Sequence, residues 1–237
     1  VRFVTFNIRL GLQRGVAPIV DVARSLRPDL LALQEVGANW RDGPPGDTTR
    51  RIGLQTGLVH STFVPTIGTG ESVRYGHALL SRWPIRDLNR QFLAGGRGEP
   101  RAALSADIVG PEDRAEDCVR FVSTHLSHID SERRLQGPEF GKFVEEAMPT
   151  PNQKGGPEAP IVVAGDLNEP RERPSPWMRE LLASFDEAGR LDPAPTFENP
   201  VPERRIDYLL VAGAQWSDAF VADLPDLSDH RPVVADL

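Results

Sequence analysis

Eight short apolar or alternating runs are spread along the whole chain, and they constrain the fold more than any other feature. They are RFVTFNI from Arg2, DLLALQEV from Asp29, HALLSRW from His77, AALSADIV from Ala102, CVRFVSTHL from Cys118, IVVAGDL from Ile161, IDYLLV from Ile206 and PVVADL from Pro232. Each is brief, rich in Val, Leu, Ile or Phe, and bounded by Gly, Pro or Asp, which is the pattern of a strand. Helical patterns lie between some of them, over 18–26, 48–58 and 131–148. Pro18 suits the first helical position, Arg27-Pro28 is a stop, and Asp130 or Ser131 suits an N-cap. Stretches rich in Pro and Gly at 43–46, 149–160 and 170–176 read as surface loops. Strands with helices interspersed but not strictly alternating predict an α/β fold: a four-layer sandwich, two mixed β-sheets face to face with helices outside. The composition does not shift along the chain, so 1–237 is expected to be a single domain.

A chain of 237 residues buries roughly 70–75% of its unfolded surface, so it needs no disulfide or structural metal. The lone cysteine, Cys118, can form no intramolecular bridge and no multi-cysteine zinc site, and is expected to be a buried, inert thiol. No run approaches the roughly 20 apolar residues of a membrane helix, and the chain opens on a strand pattern rather than a signal peptide. A cytoplasmic location is the resulting expectation. The net charge is −7, with lysine only at Lys142 and Lys154. Binding long nucleic acid needs several cationic side chains on one face, so nucleic acid is admitted as a substrate but not favoured. No protein partner is evident. The GTGES stretch at 68–72 lacks the Gly-Lys-Ser/Thr ending of a phosphate-binding loop.

Polar residues at strand ends carry the functional information. Asn7 ends the first run, Glu35 the second and His125 a middle one; Asp166 and Asn168 follow IVVAG, Asp207 starts IDYLLV, and Asp229-His230 precedes the last. One such residue is ordinarily a turn-former. Six strand termini carrying acceptors or an imidazole instead suggest a site assembled along one sheet edge. Asp166 and Asn168, two apart, would share one side of an extended segment.

The segments TFNIR, LALQEV, GHALLSRWPI, STHL, GDLNEP, RIDYLL and SDHRPVVADL, in this order, resemble the motif series of the endonuclease/exonuclease/phosphatase superfamily. The resemblance runs from Val4 to the C-terminus. It implies a deoxyribonuclease I-like fold and a magnesium-dependent phosphoesterase, with manganese as a substitute, that hydrolyses a phosphodiester by metal-assisted attack of water. A small-molecule or lipid-linked phosphoester is the preferred substrate; a DNA or RNA nuclease and a non-catalytic binding member are the alternatives. By the same resemblance Glu35 is the principal metal ligand, with Asn7 beside it and Asp229 adding a contact. Asp166 orients or deprotonates the water, and Asn168 contacts phosphate or positions Asp166. His230 donates to a phosphoryl oxygen or acts as base, with Asp207 fixing its tautomer. His125 binds phosphate or assists the leaving group, and Arg101 pairs with phosphate or supports the site. Hard oxygen ligands suit magnesium, and phosphoryl transfer depends mostly on positioning and charge neutralisation.

Several other residues are read as structural. His128, three residues after His125, is not expected to form a zinc pair with it. Trp83, Trp177 and Trp216 are scattered and are expected to pack rather than to stack bases. His77 stands where many relatives carry asparagine, and Arg9 where some nucleases carry an acid.

Overall fold

The computed structural model describes residues 1–68, 72–95, 98–110, 118–148, 159–224 and 226–237. Most of the loop expected at 149–160, including Lys154, and the centre of the 68–72 stretch lie outside the described residues. One six-stranded sheet has the order β11 (Asp218–Val221), β12 (Val233–Asp236), β1 (Arg2–Asn7), β2 (Leu30–Ala38), β4 (Arg74–Ser81), β3 (His60–Gly68). The other, also six-stranded, has the order β5 (Ile85–Phe92), β6 (Ala102–Ile108), β7 (Val119–His125), β8 (Ile161–Asp166), β10 (Asp207–Ala212), β9 (Asp186–Glu187). Helices α1 (Val16–Leu26) and α2 (Thr48–Thr56) cover the first sheet, and α3 (Asp130–Ala147) and α4 (Pro176–Ser184) the second.

Side-chain alternation produces these layers. Successive residues of a strand point to opposite faces, so a central strand with both faces covered must be apolar throughout. Phe3, Leu30, Phe121, Val162 and Leu209 meet in the core between the sheets. Their neighbours Val4 and Leu31 face outward onto Ile19, Val20 and Ile52 of α1 and α2. Val122, Val163 and Leu210 face outward onto Phe140, Phe143, Trp177 and Met178 of α3 and α4. Full burial of each such side chain contributes about 1.5–3 kcal/mol. Trp83 and Trp216 pack at the edge of the central core, and Trp177, on α4, packs between that helix and the second sheet, so these tryptophans pack as expected. None of the described helices is long and apolar enough to cross a membrane.

The differences from the sequence reading have physical causes. The edge strand β5 is exposed along nearly its whole length, so it carries no burial alternation to read. Edge strands β3 and β11 and the two-residue β9 were not anticipated either. Helix α4 follows directly from the 170–176 loop, with Pro176 at its start. Helix α1 begins at Val16 after Gly15, two residues before Pro18, and α3 is preceded by Ile129 as N-cap, so Asp130 is already in its first turn. Cys118 is partly exposed rather than buried.

Within the first sheet β1 and β2 run parallel, and within the second β7 and β8 do. The C-terminal ends of β1, β7 and β8 lie where β10 begins, Asp207 and His125 opposite Asp166 in the ladders and Asn7 bonded to it. Gly165 holds this junction: at φ 149, a Cβ on it would lie 2.1 Å from the Thr124 carbonyl oxygen of β7. Neither backbone can yield without opening the β7–β8 ladder. Gly165→Ala is expected to destabilise the fold by at least about 2 kcal/mol. A urea-unfolding midpoint equal to that of wild type would contradict this account.

Candidate active site

Chain topology brings the strand-end residues together. Asn7 ends β1, His125 ends β7, Asp166 ends β8 and Asp207 opens β10. The turn before β12 delivers Ser228, Asp229 and His230 beside the end of β1, where the Ser228 hydroxyl donates to the Asn7 carbonyl at 2.7 Å. Two expectations are corrected here. Glu35 does not end its strand: it lies inside β2, at an irregularity where the register with β4 shifts between Leu33 and Val36, and has φ 53. An extra residue there re-aims a side chain that regular alternation would place elsewhere. Asn168 does not continue an extended segment either; β8 has ended, Asn168 has φ 50, and its backbone N–H donates to Asp166 Oδ1 at 2.9 Å.

The side chains form one connected network. Asn7 Nδ2 donates to Glu35 Oε1 and to Asp166 Oδ2, each at 3.0 Å. The same Asp166 oxygen lies 3.4 Å from His125 Nε2 and 3.6 Å from His230 Nε2. His230 Nδ1 is 2.9 Å from Asp207 Oδ2, and the ring is packed against Phe197 at 4.7 Å between centroids. Arg101 Nη1 is 2.7 Å from His125 Nδ1, and Arg101 Nη2 is 3.3 Å from Glu99. Asn168 Nδ2 donates to the Leu126 carbonyl at 2.9 Å. Asp166, Asp207, His125, His230 and Arg101 are all buried, whereas Glu35 is partly exposed.

Burial pushes the Asp166 carboxyl up to about 7, with the charge of Asp207 adding and His230 opposing. Burial lowers the pKa of His230, but Asp207 and Asp166 together more than offset it and raise it to about 10. His230 is therefore the proton holder of this pair, and Asp166 is a weaker acid than an ordinary aspartate. Burial, and then Arg101, hold His125 well below the usual imidazole range. His77, on β4, falls to about 3 from burial and the nearby Arg101 and Arg90, and its Nε2 is buried without a partner among the described residues.

The donor set has the chemistry to hold a divalent cation. Glu35 is hydrogen-bonded through one carboxylate oxygen only, among the described residues; the Asn7 amide bridges it to the Asp166 carboxylate through Nδ2, while Asn7 Oδ1 accepts from the Arg9 backbone N–H at 3.1 Å. The carboxylate oxygens of Glu35 and Asp166 are hard donors of the kind that suits magnesium. Asp166, Asp207 and His230 also offer ligand atoms within 4.8 Å of one another. His230 is a poorer ligand than that spacing suggests, because Nδ1 is engaged by Asp207 and a protonated imidazole offers no lone pair. Asp229 Oδ2 lies 3.2 Å from Arg9 Nη1, so Arg9 faces the carboxylate expected to add a metal contact. A 660 Å³ cavity between the β9 and β11 edges includes none of these residues; convergence of charged groups identifies the site.

The remaining residues fall outside the network. The His128 carbonyl accepts from Arg133, and among the described residues no ligand cluster includes its imidazole. Arg41 pairs with Asp42, and Arg74 with Asp47 while lying over Phe63. Glu99, Thr196, Phe197 and Ser228 were not singled out from sequence. Glu99 had a readable signal, its spacing of two from Arg101. Thr196, whose hydroxyl accepts from the Asp207 N–H at 3.3 Å, had none.

The chain is 27% identical over 264 residues to the uncharacterized protein YbhP of Escherichia coli, an alignment covering all of this chain and 95% of YbhP. Among solved structures it is similar to an endonuclease/exonuclease/phosphatase from Beutenbergia cavernae, with 24% identity and a TM-score of 0.75 over 99% of this chain and 70% of that one. It is also similar to a mannosyl-6-phosphatase from Bacteroides thetaiotaomicron, with 14% identity and a TM-score of 0.77 over 100% and 98% of the two chains. At these identities the structural likenesses establish the fold. The match that reaches beyond fold is to the model of the Endonuclease/Exonuclease/phosphatase family, whose members hydrolyse phosphoesters; it spans residues 4–230, which takes in every residue of the network, and the chain belongs to that family.

Proposed function

We propose that the protein is a magnesium-dependent phosphodiesterase for a small or lipid-linked phosphoester. The observation that carries this reading is the convergence on Asp166 Oδ2 of two imidazole nitrogens, at 3.4 and 3.6 Å, and of the Asn7 amide that also holds Glu35. Asp166 orients the attacking water and takes its proton as the new P–O bond forms and the bond to the leaving oxygen breaks; solvent protonates that oxygen. His230 is held charged by Asp207 and donates to a phosphoryl oxygen as negative charge grows there. With Asp207 on Nδ1 and Asp166 facing Nε2, the two carboxylates favour its charged, donating form over the general base. Asn168 fixes Asp166 through its backbone N–H. Glu35 would hold the metal, with Asn7 and Asp229 nearby; when bound, the ion supplies Lewis-acid stabilisation of the phosphoryl and leaving oxygens.

Net charge and ion pairing favour a compact substrate over duplex DNA. The charge is −7, and Arg41 and Arg74 each stand beside an aspartate, which weakens the positive field they offer. A surface of this kind grips one or two phosphates and gives little hold on a polymer. Assayed in magnesium at moderate salt, bis-aryl phosphate or sphingomyelin is expected to be turned over with a higher kcat/KM than plasmid DNA, RNA, inositol phosphates or aryl monophosphate. Plasmid nicking well above every small or lipid phosphoester would replace this reading with a nuclease.

A further inference from the structure

His125 and His230 approach the same oxygen of Asp166 through Nε2, yet their far nitrogens meet opposite partners. His230 Nδ1 faces the Asp207 carboxylate at 2.9 Å, and His125 Nδ1 faces the Arg101 guanidinium at 2.7 Å. A guanidinium carries only donors and does not give up its proton in a protein. Nδ1 of His125 must therefore accept, so it bears no proton, and the single ring proton sits on Nε2. That N–H has no close acceptor among the described residues. Asp166 Oδ2 is 3.4 Å away. Asn168 Nδ2, also at 3.4 Å, is itself a donor, fixed in that orientation by its 2.9 Å bond to the Leu126 carbonyl. Arg101 is 4% exposed, and its two terminal nitrogens are directed at His125 and Glu99.

We infer that Arg101 is a positioning residue that locks His125 as the neutral Nε2–H tautomer, a fixed hydrogen-bond donor to an oxygen of the bound phosphoester, and is not itself a phosphate ligand. Burial of the ring works in the same direction by disfavouring a second proton. The two imidazoles thus have separate tasks. His230, paired with a carboxylate, meets the oxygen that gains most charge. His125, paired with a cation, contributes a hydrogen bond without adding charge to a site that already holds Arg101 and His230. Only the identity of the oxygen it contacts rests on the phosphoesterase reading; the tautomer does not.

Nitrogen-15 NMR of histidine-labelled full-length chain near neutral pH tests the lock, with His125→Gln assigning the resonances. Wild-type His125 is expected to show a protonated Nε2 and an unprotonated Nδ1. In Arg101→Met the ring should move to Nδ1–H, exchange between tautomers, or become protonated, and Arg101→Lys, which keeps one donor, should restore the wild-type pattern. On any phosphoester that is turned over, Arg101→Met should lower kcat roughly 10–100-fold with KM changed less than about threefold. A proton on Nδ1 of His125 in the wild type overturns the inference, as does a large rise in KM at unchanged kcat, which would mark a phosphate ligand. If Arg101→Met does not fold, the wild-type spectrum alone decides the tautomer. Failure to hydrolyse any phosphoester would count against the proposed reaction and leave the spectroscopic result standing.

Discussion

Asp166→Asn is expected to lower kcat by at least about 100-fold, within the range for a positioned general base, with little change in fold. The carboxylate is the meeting point of the site: Asn7 donates to one of its oxygens, the Asn168 N–H to the other, and both imidazoles face it. An amide of the same shape keeps the packing but cannot take a proton from water. It also removes one of the two carboxylates that keep His230 charged, so the donor to the phosphoryl oxygen weakens together with the base. His230→Ala is expected to cost a similar factor. The effects of the two changes should be far from additive, because the residues act as a unit. Single-turnover rates for both variants and the double variant, alongside urea midpoints, measure this. Near-wild-type turnover by Asp166→Asn and His230→Ala would remove both assignments.

Removing divalent metal with a chelator should abolish turnover, and magnesium should restore it, with manganese as a substitute. Glu35→Gln is expected to lower activity by about 100-fold or more and to raise the magnesium concentration needed for half-maximal rate. Glutamine keeps an oxygen for the cation but loses the charge, and it can still accept from the Asn7 amide at the 3.0 Å contact. Activity and metal dependence should therefore fall together while the network persists. The Asp166–Asp207–His230 cluster supplies the comparison. If that cluster were the principal metal site, Glu35→Gln would leave the magnesium dependence of the rate unchanged. Full activity in chelator without added metal would remove the metal from the mechanism altogether.

Central strands were legible because burial on both faces forces a continuous apolar run, as in IVVAGDL and DLLALQEV. Edge strand β5 was not, since a strand exposed to solvent carries no such imprint. The identities of the site residues were legible for a related reason. A carboxylate or imidazole directly after an apolar run conflicts with burial unless it has partners, so Asp166 and Asp207 announce themselves by position. Their partners did not, because hydrogen bonding across 159 residues, as between Asn7 and Asp166, leaves no local pattern.

By itself the sequence determined the layer architecture, through two-residue alternation, and the residue types available for chemistry, through polar groups at the ends of apolar runs. Only the tertiary structure decided how those groups are oriented and charged. The irregularity that aims Glu35, the turn that sets Asn168 and the close approach of Gly165 to Thr124 are properties of backbone pairing between strands. The opposite settings of His125 and His230 follow from which side chain lies against each Nδ1, a guanidinium for one and a carboxylate for the other. Arg101 and Asp207 stand 24 and 23 positions from the histidines they face. Protonation depends on local charge and solvent access, and both exist only once distant segments have packed together.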